Sequence, residues 1–243
     1  MTVHSSSGDE SGREAELAAR LSAVRDRIAA ACAAAGRRSD EVTLIAVTKT
    51  FPVSDIRLLH ELGVVDIGEN RDQEAAAKAA ECASMGLALT WHFVGQLQTN
   101  KVASVVSYAS VVHSVDRRHL VSVLGSRARR AGRAITCLVQ VSLDGDPARG
   151  GASGHQVAEV AEAITEQDGL ILGGVMAVAP IGEPAGKAFR KLTEIAASVR
   201  SAHPGAVMIS AGMSGDLEEA IEAGATHVRV GTALLGGRSA FVR

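Results

Sequence analysis

The chain has 243 residues, of which 47% are hydrophobic, which is enough for one large core. Its net charge is −2 and only 2% of its residues are aromatic, so the basic, aromatic surface typical of nucleic-acid-binding proteins is not predicted. Three widely spaced cysteines, Cys32, Cys82 and Cys137, predict buried thiols in a reducing compartment rather than disulfides or a zinc site.

The first residues are rich in serine, glycine and acidic side chains and contain no apolar signal-peptide core, so we expect residues 1–13 to be a disordered tail. No stretch approaches the roughly eighteen consecutive apolar residues of a membrane span. These features predict a cytoplasmic protein without membrane contact. From Leu17 to Ala31, apolar residues recur at spacings of three and four, which predicts an amphipathic helix that ends at Gly36.

Apolar runs then alternate with amphipathic runs along the chain. The predicted strands are 42–49, 64–70, 90–97, 110–116, 135–143, 170–179, 207–214 and 228–234. The predicted helices between them include 54–62, 71–83, 99–108, 117–130, 155–167, 186–202 and 217–223. The apolar runs are typical of parallel strands buried on both faces. The sequence therefore predicts an α/β fold, a single (β/α)8 TIM barrel over residues 14–243 with an extra N-terminal helix. A doubly wound open sheet is the alternative.

Polar residues stand at or just beyond the end of each predicted strand. They are Lys49, Glu69, Asn70, Gln96, His113, Ser114 and Asp144, together with the segments 210–214 and 229–232, and the apolar Met176 takes the same place in its strand. The carboxyl ends of barrel strands meet at one rim, where active sites lie. We therefore expect the functional site at this rim, and we interpret His92 and His113 as hydrogen-bonded core histidines.

A phosphate site is the clearest candidate within the rim. The glycine-rich segment 210–216 precedes a predicted helix, and Gly231-Thr232 ends the last predicted strand. Barrels frequently bind phosphate with the loops after strands seven and eight, through backbone N–H groups at a helix N-terminus. Helix capping by Asp216, with Glu219 three residues later, is the alternative, and the two roles are compatible.

Lys49 directly follows the first buried strand. It is either a surface lysine at a strand end or a desolvated lysine able to act as a Schiff-base nucleophile. Combined with a phosphate site, the second reading allows two chemistries: an aldolase-like reaction on a sugar phosphate, or pyridoxal 5′-phosphate (PLP) held as a Schiff base. Arg229 could pair with a substrate carboxylate or donate to the pyridine nitrogen of PLP.

Seven ordered motifs resemble one known family. They are 46–49 (AVTK), 67–70 (IGEN), 91–101 (WHFVGQLQTNK), 113–116 (HSVD), 174–177 (GVMA), 212–216 (GMSGD) and 228–232 (VRVGT). Together they resemble the YggS/PROSC family of PLP homeostasis proteins, from about Leu17 to Arg238. The family's frequent proline is replaced by Gln96, and Ala211 replaces a larger apolar residue.

The resemblance implies a barrel like the N-terminal domain of alanine racemase, a monomer, and PLP as a Schiff base on Lys49. It also implies a role for each residue of the predicted cofactor-binding set. Ser214, Gly231 and Thr232 should hold the phosphate, with Ser210 as a further contact and Met213 in the same loop. Arg229 should face the ring nitrogen, and Asn70 should lie near the ring. No catalytic residue and no metal ligand is predicted.

An alanine-racemase-like enzyme needs two bases, and in the racemases a tyrosine from a second domain supplies one of them. Here the chain ends soon after the last strand, and Tyr108, its only tyrosine, is predicted on the barrel wall. Arg229 can only donate, which leaves a facing ring nitrogen unprotonated and weakens the ring as an electron sink.

We therefore expect a PLP carrier or regulator that acts in intracellular PLP homeostasis and in amino- and keto-acid balance, without significant catalysis. Apo PLP-dependent enzymes are its candidate partners. The alternatives are a fold-type-III racemase-like enzyme acting on amino acids and a Schiff-base aldolase without PLP.

Overall fold

A closed barrel of eight parallel strands forms the centre of the molecule. The computed structural model describes residues 6–146 and 149–237. The strands are β1 (Thr43–Val47), β2 (Asp66–Glu69), β3 (Thr90–Phe93), β4 (Val111–Val115), β5 (Ile135–Gln140), β6 (Leu170–Met176), β7 (Met208–Ser210) and β8 (His227–Val230). Each strand pairs with its sequence neighbours, and β1 pairs with β8. The predicted TIM barrel is confirmed, and the open sheet is excluded.

Helices surround the barrel and follow the strands in sequence. They are α1 (Ser6–Ala34), α2 (Val53–Glu61), α3 (Asp72–Ser84), α4 (Val102–Tyr108), α5 (Arg118–Ala131), α6 (Gln156–Thr165), α7 (Ala185–Ala202), α8 (Leu217–Glu222) and α9 (Thr232–Leu235). Short 3-10 turns lie at Ser39–Glu41 and Thr99–Lys101. Within the described ranges, no helix has both the length and the apolar character that crossing a membrane requires.

The core lies in the layer between strands and helices. All five residues of β4 are buried, as expected for a strand covered on both faces. The amphipathic helix α5 turns Leu120, Leu124 and Ala128 towards the sheet, and all three are fully buried. Burying one such leucine stabilises the fold by about 1.5–3 kcal/mol, so this layer is the main source of stability.

Helix α1 packs outside the barrel against α8 and α9. The predicted amphipathic face is confirmed, since Leu17, Leu21 and Val24 are buried. The disordered tail predicted for residues 1–13 is wrong for residues 6–13, which form the first turns of this helix. Arg13 fixes that end, because it pairs with Asp55 of α2 at 2.6 Å and donates to the carbonyl of Leu235 at 3.0 Å. Residues 1–5 lie outside the described residues.

The last predicted strand, 228–234, is too long. β8 ends at Val230, and the N–H groups of Leu234 and Leu235 donate to the carbonyl oxygen of Gly231 at 3.0 and 2.8 Å. The apolar end of this run is therefore a helical turn, α9, whose leucines are buried in the same apolar cluster as α1. A helix start consequently lies at the rim directly after β8.

Strand β6 contains one extra residue relative to β5. Cys137 pairs with Leu172, whereas the following Leu138 pairs with Gly174, so a bulge falls at residue 173. Gly174 has a φ of +146°, and a Cβ atom there would lie 2.0 Å from the carbonyl oxygen of Met208 on β7. Strands β6 and β7 can therefore pair only if residue 174 is glycine.

We predict that Gly174→Ala lowers the free energy of unfolding by at least about 2 kcal/mol, because the backbone of β7 must move away. Gly12→Ala is the matched control, since Gly12 lies within α1 with open space around it. Removing a helical glycine should stabilise by roughly 0.5–1 kcal/mol. Urea unfolding monitored by circular dichroism measures both. An unchanged midpoint for Gly174→Ala would contradict this account of the β6–β7 contact.

Candidate functional site at the C-terminal rim of the barrel

Lys49 lies at the rim beside the end of the last strand. β1 and β8 pair in register, with Ala46 opposite Val230, so the chain just beyond each strand continues side by side. A Cβ atom on Gly231 would lie 3.4 Å from the carbonyl oxygen of Val47, two residues before the lysine. Lys49 is half-buried, and within the described ranges its amine has no hydrogen-bond or ion-pair partner. The amine is therefore free to react.

The predicted phosphate loop meets the start of α9. The Ser214 hydroxyl accepts the N–H of Ala233, in the first turn of α9, at 3.1 Å. This contact brings the segment after β7 against Gly231 and Thr232, as the predicted phosphate site requires. Met213, also in this segment, is exposed and donates its N–H to Asp216 Oδ1 at 2.6 Å. The Asp216 side chain thus closes the loop and does not cap α8, so the capping alternative is wrong.

Helix α1 holds this loop from outside. Arg27 donates to the carbonyl oxygen of Ser214 at 3.0 Å and to both carboxylate oxygens of Glu218 at 2.6 and 2.8 Å. Two parallel N–H to carboxylate bonds fix a guanidinium in orientation as well as position. Sequence reasoning missed Arg27, because an arginine on the polar face of an amphipathic helix looks like a solvated residue.

A chain of buried polar groups crosses the barrel interior. Arg229 donates to Ser210 Oγ at 2.6 Å and to the carbonyl oxygen of Ala177 at 2.9 Å. Ser210 Oγ lies 3.0 Å from His113 Nδ1, and His113 Nε2 lies 2.9 Å from His92 Nδ1. His92 Nε2 lies 2.9 Å from the Asp66 carboxylate, at the start of β2. The interpretation of both histidines as hydrogen-bonded core residues is confirmed.

In this series of hydrogen bonds, each group can donate to the next, from Arg229 to Asp66. Ser210 accepts from Arg229, so its own proton can go to His113 Nδ1. His113 then carries its proton on Nε2 and donates to His92, which donates from Nε2 to Asp66. Each ring needs only one proton in this arrangement. Burial lowers the pKa of His113 well below its usual value, the positive charge of Arg229 lowers it further, and both favour the neutral ring.

Ser210 is consequently not available to a phosphate. It is fully buried, and its hydroxyl is used by Arg229 and His113. We therefore propose that Ser210 positions Arg229 instead of contacting the phosphate as predicted. The guanidinium keeps N–H groups beyond the two used by Ser210 and Ala177. Burial lowers the pKa of Arg229 to about 10, so it remains protonated at neutral pH.

Asn70 borders a cavity of about 480 Å³ at the end of β2, which Arg71, Phe93, Gln96 and Lys101 also line. The turn after β3 passes close to the backbone of Asn70, because a Cβ atom on Gly95 would lie 2.1 Å from the Asn70 carbonyl oxygen, and the N–H of Val94 donates to the Glu69 carbonyl oxygen at 2.9 Å. Asn70 therefore has a fixed backbone position at the rim.

Tyr108 lies in the wall of the barrel, as predicted. Its ring meets that of Trp91 edge-on, with the centroids 6.4 Å apart. Burial raises the pKa of its hydroxyl, and the nearby carboxylates of Asp72 and Glu69 raise it further. Tyr108 is therefore a protonated packing residue and not a base at the rim.

Comparison with known proteins agrees with the fold and the motifs. The alanine racemase N-terminal domain family matches residues 20–239. The pyridoxal phosphate homeostasis protein of Mycobacterium bovis is 42% identical, covering 93% of this chain and 94% of the relative. The protein of that name from Escherichia coli K12 is 34% identical, covering 92% and 97%.

Solved structures include PipY from Synechococcus elongatus with PLP bound, at 33% identity and a TM-score of 0.80 over 90% of this chain and all of that chain. Alanine racemase from Clostridium difficile shares the fold at 12% identity and a TM-score of 0.70, with 93% of this chain matching 58% of the enzyme. The chain belongs to the family of pyridoxal phosphate homeostasis proteins, built on the alanine racemase N-terminal domain.

Proposed function

We propose that this protein binds PLP at the C-terminal rim of its barrel, covalently through Lys49, and acts in PLP homeostasis without significant turnover. The observation that carries the proposal is Lys49, unpartnered among the described residues, which follows β1 next to the end of β8, the strand that carries the buried cation Arg229. PLP supplies an aldehyde that condenses with an amine, and a ring that withdraws electrons.

The residues at the rim fit the three parts of this cofactor. The Ser214 hydroxyl keeps its proton as a donor for a phosphate, and the N–H groups of Gly231 and Thr232 precede that of Ala233, which already bonds to Ser214. Arg229 is a buried donor for an unprotonated ring nitrogen, and Lys49 is the amine. Met213 contributes loop backbone, and Asn70 is fixed beside the site. Support also comes from the relatives, since PipY was solved with PLP bound and the curated proteins carry a homeostasis name.

Three features support the absence of significant catalysis. Arg229 cannot protonate the ring nitrogen, because a guanidinium only donates and keeps its proton at neutral pH. Tyr108 packs against Trp91 in the barrel wall, and its hydroxyl is buried. The relatives at 34–42% identity are named for homeostasis rather than racemisation. The competing proposal is an amino acid racemase-like enzyme.

We further propose that the protein is a cytoplasmic monomer and that apo PLP-dependent enzymes receive its cofactor. A reducing compartment is consistent with Cys32, Cys82 and Cys137, which are buried and free. Transfer of PLP to an apo-enzyme faster than spontaneous release would support delivery over storage.

The covalent attachment of PLP to Lys49 can be tested by chemical labelling. Borohydride reduction followed by peptide mapping should place a pyridoxyl group on Lys49, because that amine is free and faces the rim. Lys49→Ala should fold and lose the label, since Lys49 has no partner in the described structure. Lys101→Met is the matched control, since Lys101 lines the neighbouring cavity and should not affect labelling. A label on Lys101 in the unaltered protein would overturn the assignment.

Substitutions of Ser214 and Ser210 distinguish a phosphate contact from a residue that positions Arg229. Ser214→Ala should weaken PLP binding about ten- to hundredfold, since one hydrogen bond to a charged group contributes roughly 1.5–3 kcal/mol. It should affect pyridoxal, which lacks the phosphate, far less. Ser210→Ala should instead weaken both ligands to a similar extent, because Ser210 acts through Arg229. Titration followed by absorbance measures all four affinities, and equal losses for Ser214→Ala would contradict its phosphate role.

Proton exchange at the Cα atom of an amino acid tests for racemase-like turnover. In deuterated water the PLP-loaded protein should not exchange the Cα proton of L-alanine appreciably, because Tyr108 is packed in the barrel wall and Arg229 leaves the ring nitrogen unprotonated, which weakens the ring as an electron sink. NMR or mass spectrometry follows the exchange. Exchange near a typical enzyme's rate of ~10 per second would instead establish the racemase-like enzyme.

A further inference from the structure

A buried cluster of charges lies behind Lys49, between the barrel wall and α3. Lys78 of α3 is buried, and its ammonium donates to the carbonyl oxygen of Thr48 at 2.8 Å, to Glu69 at 2.7 Å and to Glu74 at 2.6 Å. An ammonium has three donors, and all three are used here. Lys78 is therefore a fixed charge, fully engaged in hydrogen bonds, and not a second free nucleophile.

The same cluster binds the residues on both sides of Lys49. Glu69 Oε1 accepts the Thr48 hydroxyl at 2.7 Å, and Glu74 Oε1 accepts the N–H of Thr50 at 2.5 Å. Together with the Thr48 carbonyl, three groups that flank Lys49 are held by one set of charges. The Lys49 amine makes no hydrogen bond or ion pair with Lys78, Glu69 or Glu74. The amine is therefore left free, while the backbone on both sides of it is fixed.

The turn after β1 needs such support. Thr50 has a φ of +70° and is the one non-glycine residue with positive φ in the described ranges. This left-handed conformation is strained for a β-branched residue. The hydrogen bond from Thr50 to Glu74 is charge-assisted and can offset that strain.

The electrostatics agree with a tightly held cluster. Burial raises the pKa of Glu69, although Lys78 and Thr48 oppose the shift. Burial also acts on Glu74, but the bonds from Lys78 and the Thr50 N–H outweigh it and lower that pKa. Glu69 Oε2 is buried without a partner among the described residues. Removing Lys78 would leave two carboxylates facing each other in the barrel wall.

We propose that Lys78, with Glu69 and Glu74, is a positioning residue for Lys49, which sets how readily that lysine bonds to PLP. The inference rests on the proposed function. The cluster holds the backbone from 48 to 50, so Lys49 leaves the first strand in a fixed direction. Misplacing a reacting group by about 1 Å can slow a reaction by about a hundredfold.

The test compares a ligand that can bond covalently with one that cannot. Lys78→Met should weaken PLP binding about tenfold or more. Binding of pyridoxine 5′-phosphate, an alcohol that cannot react with Lys49, should stay within about twofold, because Lys78 bonds to Thr48, Glu69 and Glu74 and to none of the predicted phosphate contacts. Lys187→Met, which removes an exposed lysine on α7, is the control and should change neither affinity. Equal losses for both ligands, or no loss for either, would overturn the positioning role.

Glu74→Ala provides a second variant that should fold, because the Glu74 side chain is one-quarter exposed. In the ligand-free protein it should speed hydrogen–deuterium exchange of the Thr50 amide about tenfold or more, since the bond that protects this amide is gone. Unchanged exchange of the Thr50 amide would show that the cluster does not hold the turn after β1. If the unaltered protein is not labelled on Lys49, the proposed function fails instead. The exchange measurement still tests whether the cluster holds the turn, because it needs no PLP.

Discussion

The pairing of β1 with β8 is the constraint on which the site depends. Four residue pairs, from Thr43 opposite His227 to Ala46 opposite Val230, join strands that lie more than 180 residues apart in the chain. Their register places Val47, two residues before Lys49, beside Gly231 and brings Arg229 into the same barrel interior. A shift of one residue would turn every side chain of the strand to the other face. The free amine and the buried cation would then no longer share the rim.

The interior of the barrel is organised around the charge of Arg229. A buried guanidinium needs acceptors, and Ser210 and Ala177 provide them. Ser210 in turn donates its own proton to His113. The hydrogen bonds then continue from His113 to His92 and from His92 to Asp66. Each group satisfies the next, so the chain fixes the orientation of Arg229 without a second buried charge beside it. A half-satisfied network of this kind would be less stable than an apolar core.

The architecture and the rim could be predicted from the sequence, because both depend on local patterns. Buried parallel strands are continuous apolar runs, and the polar residues that end them must meet at one edge. The end of β8 could not be predicted, since Leu234 and Leu235 extend the apolar run equally well as strand or helix. The first turns of α1 are tied to α2 by the Arg13–Asp55 ion pair, which joins residues far apart in the chain and so leaves no local sequence pattern.

The supporting residues of the site were also beyond the sequence pattern. Ser210 stands in a glycine-rich loop motif, and only the barrel register turns its hydroxyl towards His113. Lys78 and Arg27 occupy helix positions that normally face solvent, yet Lys78 is buried and Arg27 holds the Ser214 loop. Their partners lie on other elements, so their roles follow from packing and not from local sequence.

A crystal structure of the protein with PLP tests the central claim most directly, because it locates all three parts of the cofactor together. The account predicts density continuous with the Lys49 side chain, the phosphate between Ser214 and the start of α9, and the ring nitrogen facing Arg229. PLP bound in the cavity lined by Arg71 and Lys101, with Lys49 unmodified, would contradict it.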